Sequence, residues 1–142
     1  MATKISVLGL DVGRKRIGVA GCDGLGLTAT PLGTIHRTSF ARDRAQLLAL
    51  IQQREVTQLI VGLPYTMNGE IGTQAKHIQT WTNSMAKALK LPFVYVDERL
   101  TSMAAEEILS DRRQDFRRNK GLVDEQAAVI ILQQWLDAQG RT

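Results

Sequence analysis

The order of the apolar segments is the feature that most limits the fold of this chain. Three short strand-like segments fall within residues 1–36, and glycine-rich turns separate them. Segments with apolar residues at helical spacing then alternate with two further strand-like runs. This order predicts an α/β fold, in which a mixed five-stranded sheet of three antiparallel and then two parallel strands is flanked by helices. The predicted strands are 4–10, 16–21, 31–36, 58–62 and 93–96, and the predicted helices are 40–54, 71–89, 101–109 and 121–138.

Length and composition favour one globular domain. The chain has 142 residues, of which 44% are hydrophobic and 23% charged, so residues 1–142 are long enough to bury a core. No apolar run approaches the roughly 20 residues of a membrane helix, and the N-terminal residues lack the apolar region of a secretory signal. We therefore expect a cytoplasmic protein without a membrane partner. Cys22 is the only cysteine, which excludes an internal disulfide and a cysteine-based zinc site.

Acidic residues follow several predicted strands and begin the last helix. Asp11 interrupts the stretch LGLDVGRKRIGVA (residues 8–20), where a carboxylate is costly unless it is paired or binds a metal. Asp97 and Glu98 follow the last strand, and Asp124 lies near the start of the last helix, on the stripe that faces the sheet. If the first and last strands are parallel neighbours, Asp11 faces either Asp97 or Glu98 across the carboxyl edge of the sheet.

Each acid also has a purely structural interpretation. Asp11 could bond the backbone of its own turn, and Asp124 could interact with the dipole of its helix. Asp97 or Glu98 could pair with Arg99 at the surface. Three acids brought together would, however, repel one another strongly without a cation. A ligand set of oxygens alone selects Mg²⁺ or Mn²⁺, and two such ions can clamp the attacking and leaving oxygens of a phosphodiester.

The positive charge is concentrated near the predicted acidic site. The formal net charge is +4, and the segment DRRQDFRRNK (residues 111–120) holds five cations against two carboxylates. Such a segment fits a nucleic-acid backbone, although a solvated loop has the same composition. Further candidates follow Asp11 directly or lie in the loop after the fourth strand, where an asparagine could also cap the next helix. The candidate nucleic-acid contacts are Arg14, Lys15, Arg16, Asn68, Arg112, Arg113, Arg117, Arg118 and Lys120.

Four ordered segments of the chain resemble the motifs of a known family. LGLDVGRKRIGVA, VGLPYTMNG, VDERLTS and VDEQAAVIILQQWL are similar to those of the YqgF family of Holliday-junction resolvase-like nucleases, over residues 5–136. The resemblance implies a ribonuclease H-like fold and a bacterial cytoplasmic nuclease that matures the 5′ end of pre-16S ribosomal RNA. It also implies that Asp11, Glu98 and Asp124 are the catalytic metal ligands, which favours Glu98 over Asp97.

Three other functions are alternatives at this point. A Holliday-junction resolvase would act on branched DNA as a symmetric dimer, and the sequence does not distinguish a monomer from a homodimer. A non-catalytic nucleic-acid-binding assembly factor would keep the fold without the chemistry. Actin-like and sugar-kinase ATPases also begin with a strand followed by DVG, but they enclose a nucleotide between two lobes, and 142 residues supply only one.

Overall fold

The computed structural model of the protein describes residues 5–64, 69–97 and 120–139, with side chains in the last range from Asp124 onward. Its helices are α1 (Phe40–Arg54), α2 (Thr73–Leu89) and α3 (Lys120–Ala138). Each element in these ranges overlaps a predicted one, whereas the predicted helix 101–109 lies outside them. The strands are β1 (Val7–Val12), β2 (Arg16–Cys22), β3 (Ala29–His36), β4 (Gln58–Leu63) and β5 (Phe93–Asp97).

The five strands form one mixed sheet in the order β3-β2-β1-β4-β5. β1 pairs antiparallel with β2, and β2 pairs antiparallel with β3. β4 lies parallel to both β1 and β5. These pairings confirm the predicted sheet of three antiparallel and then two parallel strands. They also bring the carboxyl ends of β1, β4 and β5 to one edge of the sheet.

The first and last strands are parallel but not neighbours, so the condition under which Asp11 would face Asp97 or Glu98 directly is not met, because β4 lies between β1 and β5. Neighbouring strands are about 4.8 Å apart, so β1 and β5 are separated by about 10 Å. The burial of the strands explains this order. β4 is buried from Leu59 to Leu63 and needs cover on both faces, whereas every residue of β5 is only partly buried, as suits an edge strand.

Strand alternation divides the core between the two faces of the sheet. Leu8 and Leu10 of β1 pack with residues of α1 and α2 on one face. Val7 packs on the other face with Ala128 and Ile131 of α3. The side covered by α3 is called the α3 face below. Within the described ranges, no helix has the length and hydrophobicity needed to span a bilayer.

Helix α3 touches the backbone of the sheet at two glycines. A Cβ atom built on Gly9 would lie 2.7 Å from Cβ of Leu132 and 2.9 Å from the carbonyl oxygen of Ala128. A Cβ atom on Gly18 would overlap the backbone of Asp124. Because neither position has room for a side chain, these glycines set the distance between helix and sheet.

A side-chain amide fixes the position of α3 along its own axis. Nε2 of Gln133 donates a hydrogen bond to the carbonyl oxygen of Leu27 at 2.8 Å. The backbone N–H of Ala29 donates to Oε1 of the same amide at 2.9 Å. Together with the glycine contacts to β1 and β2, this pair of bonds at the start of β3 holds α3 at a defined place on the sheet.

Replacing Gly18 with alanine tests the close contact. The new methyl group would displace the backbone of α3, so we expect the free energy of unfolding to fall by about 2–3 kcal/mol. Urea denaturation followed by circular dichroism measures this loss. The change Gln52→Ala, at an exposed position of α1, is a control that should alter stability by less than about 0.5 kcal/mol. Equal stability of Gly18→Ala and wild type would contradict the tight contact.

Candidate metal and nucleic-acid site

Asp11 lies within β1 and faces α3. Its neighbours Leu10 and Val12 are buried in the core under α1 and α2, so alternation along the strand turns Asp11 to the opposite side. The residue is partly buried and lies opposite Gly18 in the β1–β2 ladder. Because Gly18 has no side chain, the start of α3 can approach β2 beside this carboxylate.

Asp124 reaches the same place from α3. Its backbone rests on Gly18, and its carboxylate oxygen Oδ2 accepts a hydrogen bond from Nε of Arg16 at 2.8 Å. The Arg16 side chain is 28% exposed and that of Asp124 22%, so this ion pair is largely shielded from water. The predicted orientation of Asp124 towards the sheet is therefore confirmed.

The two acids converge on one glycine. The Cα atoms of directly paired residues in antiparallel strands are about 5 Å apart, and Asp124 contacts the partner of Asp11 in that pair. Neighbouring carboxylates repel each other, so a cation beside them stabilises their charged forms. The guanidinium of Arg16 supplies one such positive charge. The donors are all oxygens, which fits a hard divalent ion. Among the residues whose side chains are described, no group of three potential metal ligands occurs.

The structure does not bring Asp97 together with Asp11 and Asp124. Asp97 ends β5 and is aligned with Leu63 of β4. Phe93 and Tyr95 pack against the core under α1 and α2, and the two-residue period of a strand assigns Asp97 to that same face. Glu98, the other predicted candidate, lies outside the described residues.

Two of the predicted nucleic-acid contacts are exposed beside Asp11. Arg14 and Lys15 form the tip of the β1–β2 turn, which the N–H of Gly13 closes by donating to the carbonyl oxygen of Arg16 at 2.8 Å. Arg16 differs from them, because its guanidinium bonds to a carboxylate of α3. Asn68, Arg112, Arg113, Arg117 and Arg118 lie outside the described residues, and Lys120 begins α3 with its side chain not described.

Arg37 holds this turn in place, although the sequence analysis did not single it out. Its backbone N–H donates to the carbonyl oxygen of Lys15 at 2.8 Å, and its Nη1 donates to that of Gly13 at 2.6 Å. Its Nε lies 3.8 Å from Oδ2 of the buried Asp43, and its guanidinium carbon lies 5.8 Å from the ring centre of Trp81. Since Gly13, Lys15 and Trp81 are distant from it in sequence, no local pattern marks Arg37.

Comparison with known proteins assigns the family. A family model described as "RuvX: Holliday junction resolvase" matches residues 5–138. The chain belongs to the RuvX family. This match confirms the resemblance to YqgF proteins that the four motifs indicated.

Relatives of this RuvX-family chain are similar over nearly its whole length. A protein of Gloeothece citriformis is 59% identical over 137 residues, which cover 96% of this chain and 91% of the relative. A protein of Thermosynechococcus vestitus is 59% identical over 138 residues, covering 97% and 91%. Both relatives carry the name "Putative pre-16S rRNA nuclease".

Solved structures share the fold of this RuvX-family chain. Thermus thermophilus RuvC in complex with a Holliday junction substrate has a TM-score of 0.61 and 16% identity, and the match covers 97% of each chain. Fowlpox virus resolvase in complex with Holliday junction DNA has a TM-score of 0.56 and 9% identity, with 95% of this chain and 99% of that chain covered. At these identities the likeness shows the fold alone, and it confirms the ribonuclease H-like prediction.

Replacing Arg37 with alanine tests its role behind the turn. The change removes the side-chain bond to the carbonyl oxygen of Gly13 and leaves the buried Asp43 without its cation, so we expect the free energy of unfolding to fall by about 2 kcal/mol. We also expect faster hydrogen exchange at the amide of Gly13. The matched change Arg44→Ala, on the exposed face of α1, should do neither. Unchanged exchange at Gly13 in the Arg37 variant would contradict this role.

Proposed function

We propose that this RuvX-family chain is a divalent-metal-dependent endonuclease, a cytoplasmic hydrolase that processes the 5′ end of pre-16S ribosomal RNA. The observation that carries the proposal is the convergence of Asp11 and Asp124 on Gly18. Relatives that are 59% identical carry a name for this activity. The fold is shared with two proteins solved on Holliday junctions, which supports nucleic acid as the partner. We further infer that residues 1–142 form a single nuclease domain.

Asp11, Asp124 and Glu98 would hold a pair of Mg²⁺ or Mn²⁺ ions. Carboxylate oxygens are the ligands that these ions prefer. Since strand alternation assigns Asp97 to the opposite face of the sheet, Glu98 is the remaining acid of the DER segment. When bound, such a pair activates water for attack and stabilises the leaving oxygen of the phosphodiester. The chain itself fixes the spacing between Asp11 and Asp124. Asp11 pairs with Gly18 in the sheet, and the backbone of Asp124 packs against the same glycine.

The β1–β2 turn would bind the phosphate backbone next to the scissile bond. Arg14 and Lys15 are exposed at its tip, and Arg37 fixes the turn from behind. Cations held in this way position a polyanion without reading its sequence. The basic segment 111–120 runs into the first residue of α3 in the sequence, so we infer that it binds the same nucleic-acid strand. Asn68, in the loop that follows β4, is a further candidate contact.

The change Asp11→Asn tests the metal-dependent chemistry. The change keeps the shape of the side chain but removes the charge of a proposed metal ligand. We therefore expect cleavage of a pre-16S ribosomal RNA fragment to fall by more than about 100-fold. Mutation of residues that only hydrogen-bond to metal ligands usually costs about 10–100-fold. Asp124→Asn should behave alike. Cleavage by the wild type should need Mg²⁺ or Mn²⁺ and should stop with EDTA. Gel analysis of end-labelled RNA measures the rates.

The change Asp137→Asn is the matched control. Asp137 is exposed near the other end of α3, about 20 Å along the helix axis from Asp124, and should retain full activity as asparagine. Undiminished cleavage by a folded Asp11→Asn protein would contradict the proposal. If no metal yields cleavage while the RNA still binds, the non-catalytic assembly factor becomes the better explanation.

The salt dependence of RNA binding tests the phosphate contacts. Each phosphate contact with a single strand contributes about 0.7 to the slope of log K against log salt concentration. Replacing Arg14 and Lys15 with glutamine should therefore flatten the slope by about 1.4, and neutralising the segment 111–120 should flatten it further. Fluorescence anisotropy at several salt concentrations provides the slopes. The double change Lys76→Gln and Lys87→Gln, on the exposed surface of α2, should leave the slope unchanged, and equal slopes for both pairs would contradict the interface.

A Holliday-junction resolvase is the second candidate, because the matching family model carries that description. Resolution of a junction requires two active sites in a symmetric dimer, whereas a monomer can cut one RNA strand. Preferred cleavage of a four-way DNA junction by a homodimer, with sedimentation velocity giving the oligomeric state, would favour this function over RNA processing.

A further inference from the structure

The ion pair between Arg16 and Asp124 provides one of the proposed metal ligands with a cation from the chain itself. Nε of Arg16 lies 2.8 Å from Oδ2 of Asp124. The backbone of Arg16 is fixed at both sides, since its carbonyl oxygen closes the β1–β2 turn and the residue pairs with His36 of β3. The guanidinium is therefore the part of Arg16 that can change partners, by rotation of its long side chain.

A divalent ion and the Arg16 guanidinium would seek the same carboxylate. Both are cations, and a metal held by Asp124 would share that carboxylate with the guanidinium, so the two like charges would repel. The ion pair is largely shielded from water, which weakens screening of that repulsion by salt. Arginine keeps its charge at any ordinary pH, so it relieves the repulsion only by moving.

We propose that Arg16 is an exchangeable internal cation, which neutralises Asp124 before metal binding and moves to the substrate phosphate when the metal enters. The proposal rests on the proposed nuclease function and deepens it. Arg16 belongs to the same turn as Arg14 and Lys15, which are exposed beside Asp11. Its guanidinium can therefore leave Asp124 for an anion that the same turn binds. Before substrate binds, Arg16 acts on the metal site through Asp124, and it contacts the substrate phosphate only after the exchange.

This exchange couples the binding of metal and nucleic acid. A bound phosphate attracts the Arg16 guanidinium away from Asp124, which makes metal binding more favourable. By linkage, bound metal must favour the nucleic acid by the same factor. The protein without nucleic acid would then hold metal weakly, and both would bind tightly together.

Manganese affinity measured by electron paramagnetic resonance tests the first part. We compare the wild type, Arg16→Gln, Arg16→Lys and Asp11→Asn, all without nucleic acid and all checked for folding by circular dichroism. Removal of the charge in Arg16→Gln should tighten Mn²⁺ binding about tenfold, within the usual range for coupled sites. Arg16→Lys keeps the cation and should stay within about threefold of the wild type. Weaker binding by folded Arg16→Gln would overturn the exchange, because Arg16 would then orient Asp124 for the metal.

A short phosphorothioate RNA, which resists cleavage, tests the coupling. In the wild type this RNA should tighten Mn²⁺ binding by about tenfold or more, and in Arg16→Gln most of this gain should disappear. The wild-type measurement alone keeps the proposal testable if Arg16→Gln does not fold, since an RNA without effect on Mn²⁺ affinity overturns it.

The two levels of the proposal fail in different ways. If the wild type and Asp11→Asn bind Mn²⁺ equally weakly with and without RNA, the metal site itself is wrong and the proposed function fails. If Asp11→Asn loses Mn²⁺ binding while Arg16→Gln matches the wild type in both experiments, the metal site stands and only the exchange of Arg16 is overturned.

Discussion

The contact between the backbone of α3 and the glycines of β1 and β2 determines the rest of this structure. A helix usually lies on a sheet at a distance that the intervening side chains set, but Gly9 and Gly18 place only hydrogen atoms there. The approach buries Ala128 completely and places the backbone of α3 at Ala128 and Asp124 against the glycine positions of the strands. Asp124 of the helix therefore packs against Gly18, the residue that pairs with Asp11 in the neighbouring strand. The close contact is thus the reason why two carboxylates share one place.

The cations near Asp11 and Asp124 differ in their exposure to solvent. Arg16 is drawn inward to Asp124, whereas Arg14 and Lys15 remain exposed at the tip of the turn. Behind the turn, Arg37 binds two backbone carbonyl groups and faces the buried Asp43. Three consecutive cations in the sequence thus have two different environments, because a strand begins within them and its alternation directs Arg16 towards α3.

Local patterns predicted the elements well, because local forces determine them. The predicted helix 40–54 has the bounds of α1, where Ser39 caps the first turn and Glu55 ends the helix in the left-handed conformation. The order of the strands within the sheet was less predictable from the sequence. That β4 separates β1 from β5 depends on which strand gains most from burial on both faces, and that is a property of the whole sheet. The same limit explains why Arg37 was missed and why Arg16 was not paired with Asp124, since these contacts join residues far apart in the chain.

The long sequence separation within the site has a consequence for synthesis of the protein. Asp11 and its strand leave the ribosome before Asp124 and α3, because β1 precedes α3 in the chain. Until α3 emerges, the face of the sheet that holds Val7, Ala20 and Ile60 has no cover from this helix, and the site holds neither Asp124 nor its ion pair. A growing chain therefore gains the cover of α3 and the carboxylate of Asp124 in the same step, so that a chain without α3 cannot hold both acids of the candidate site.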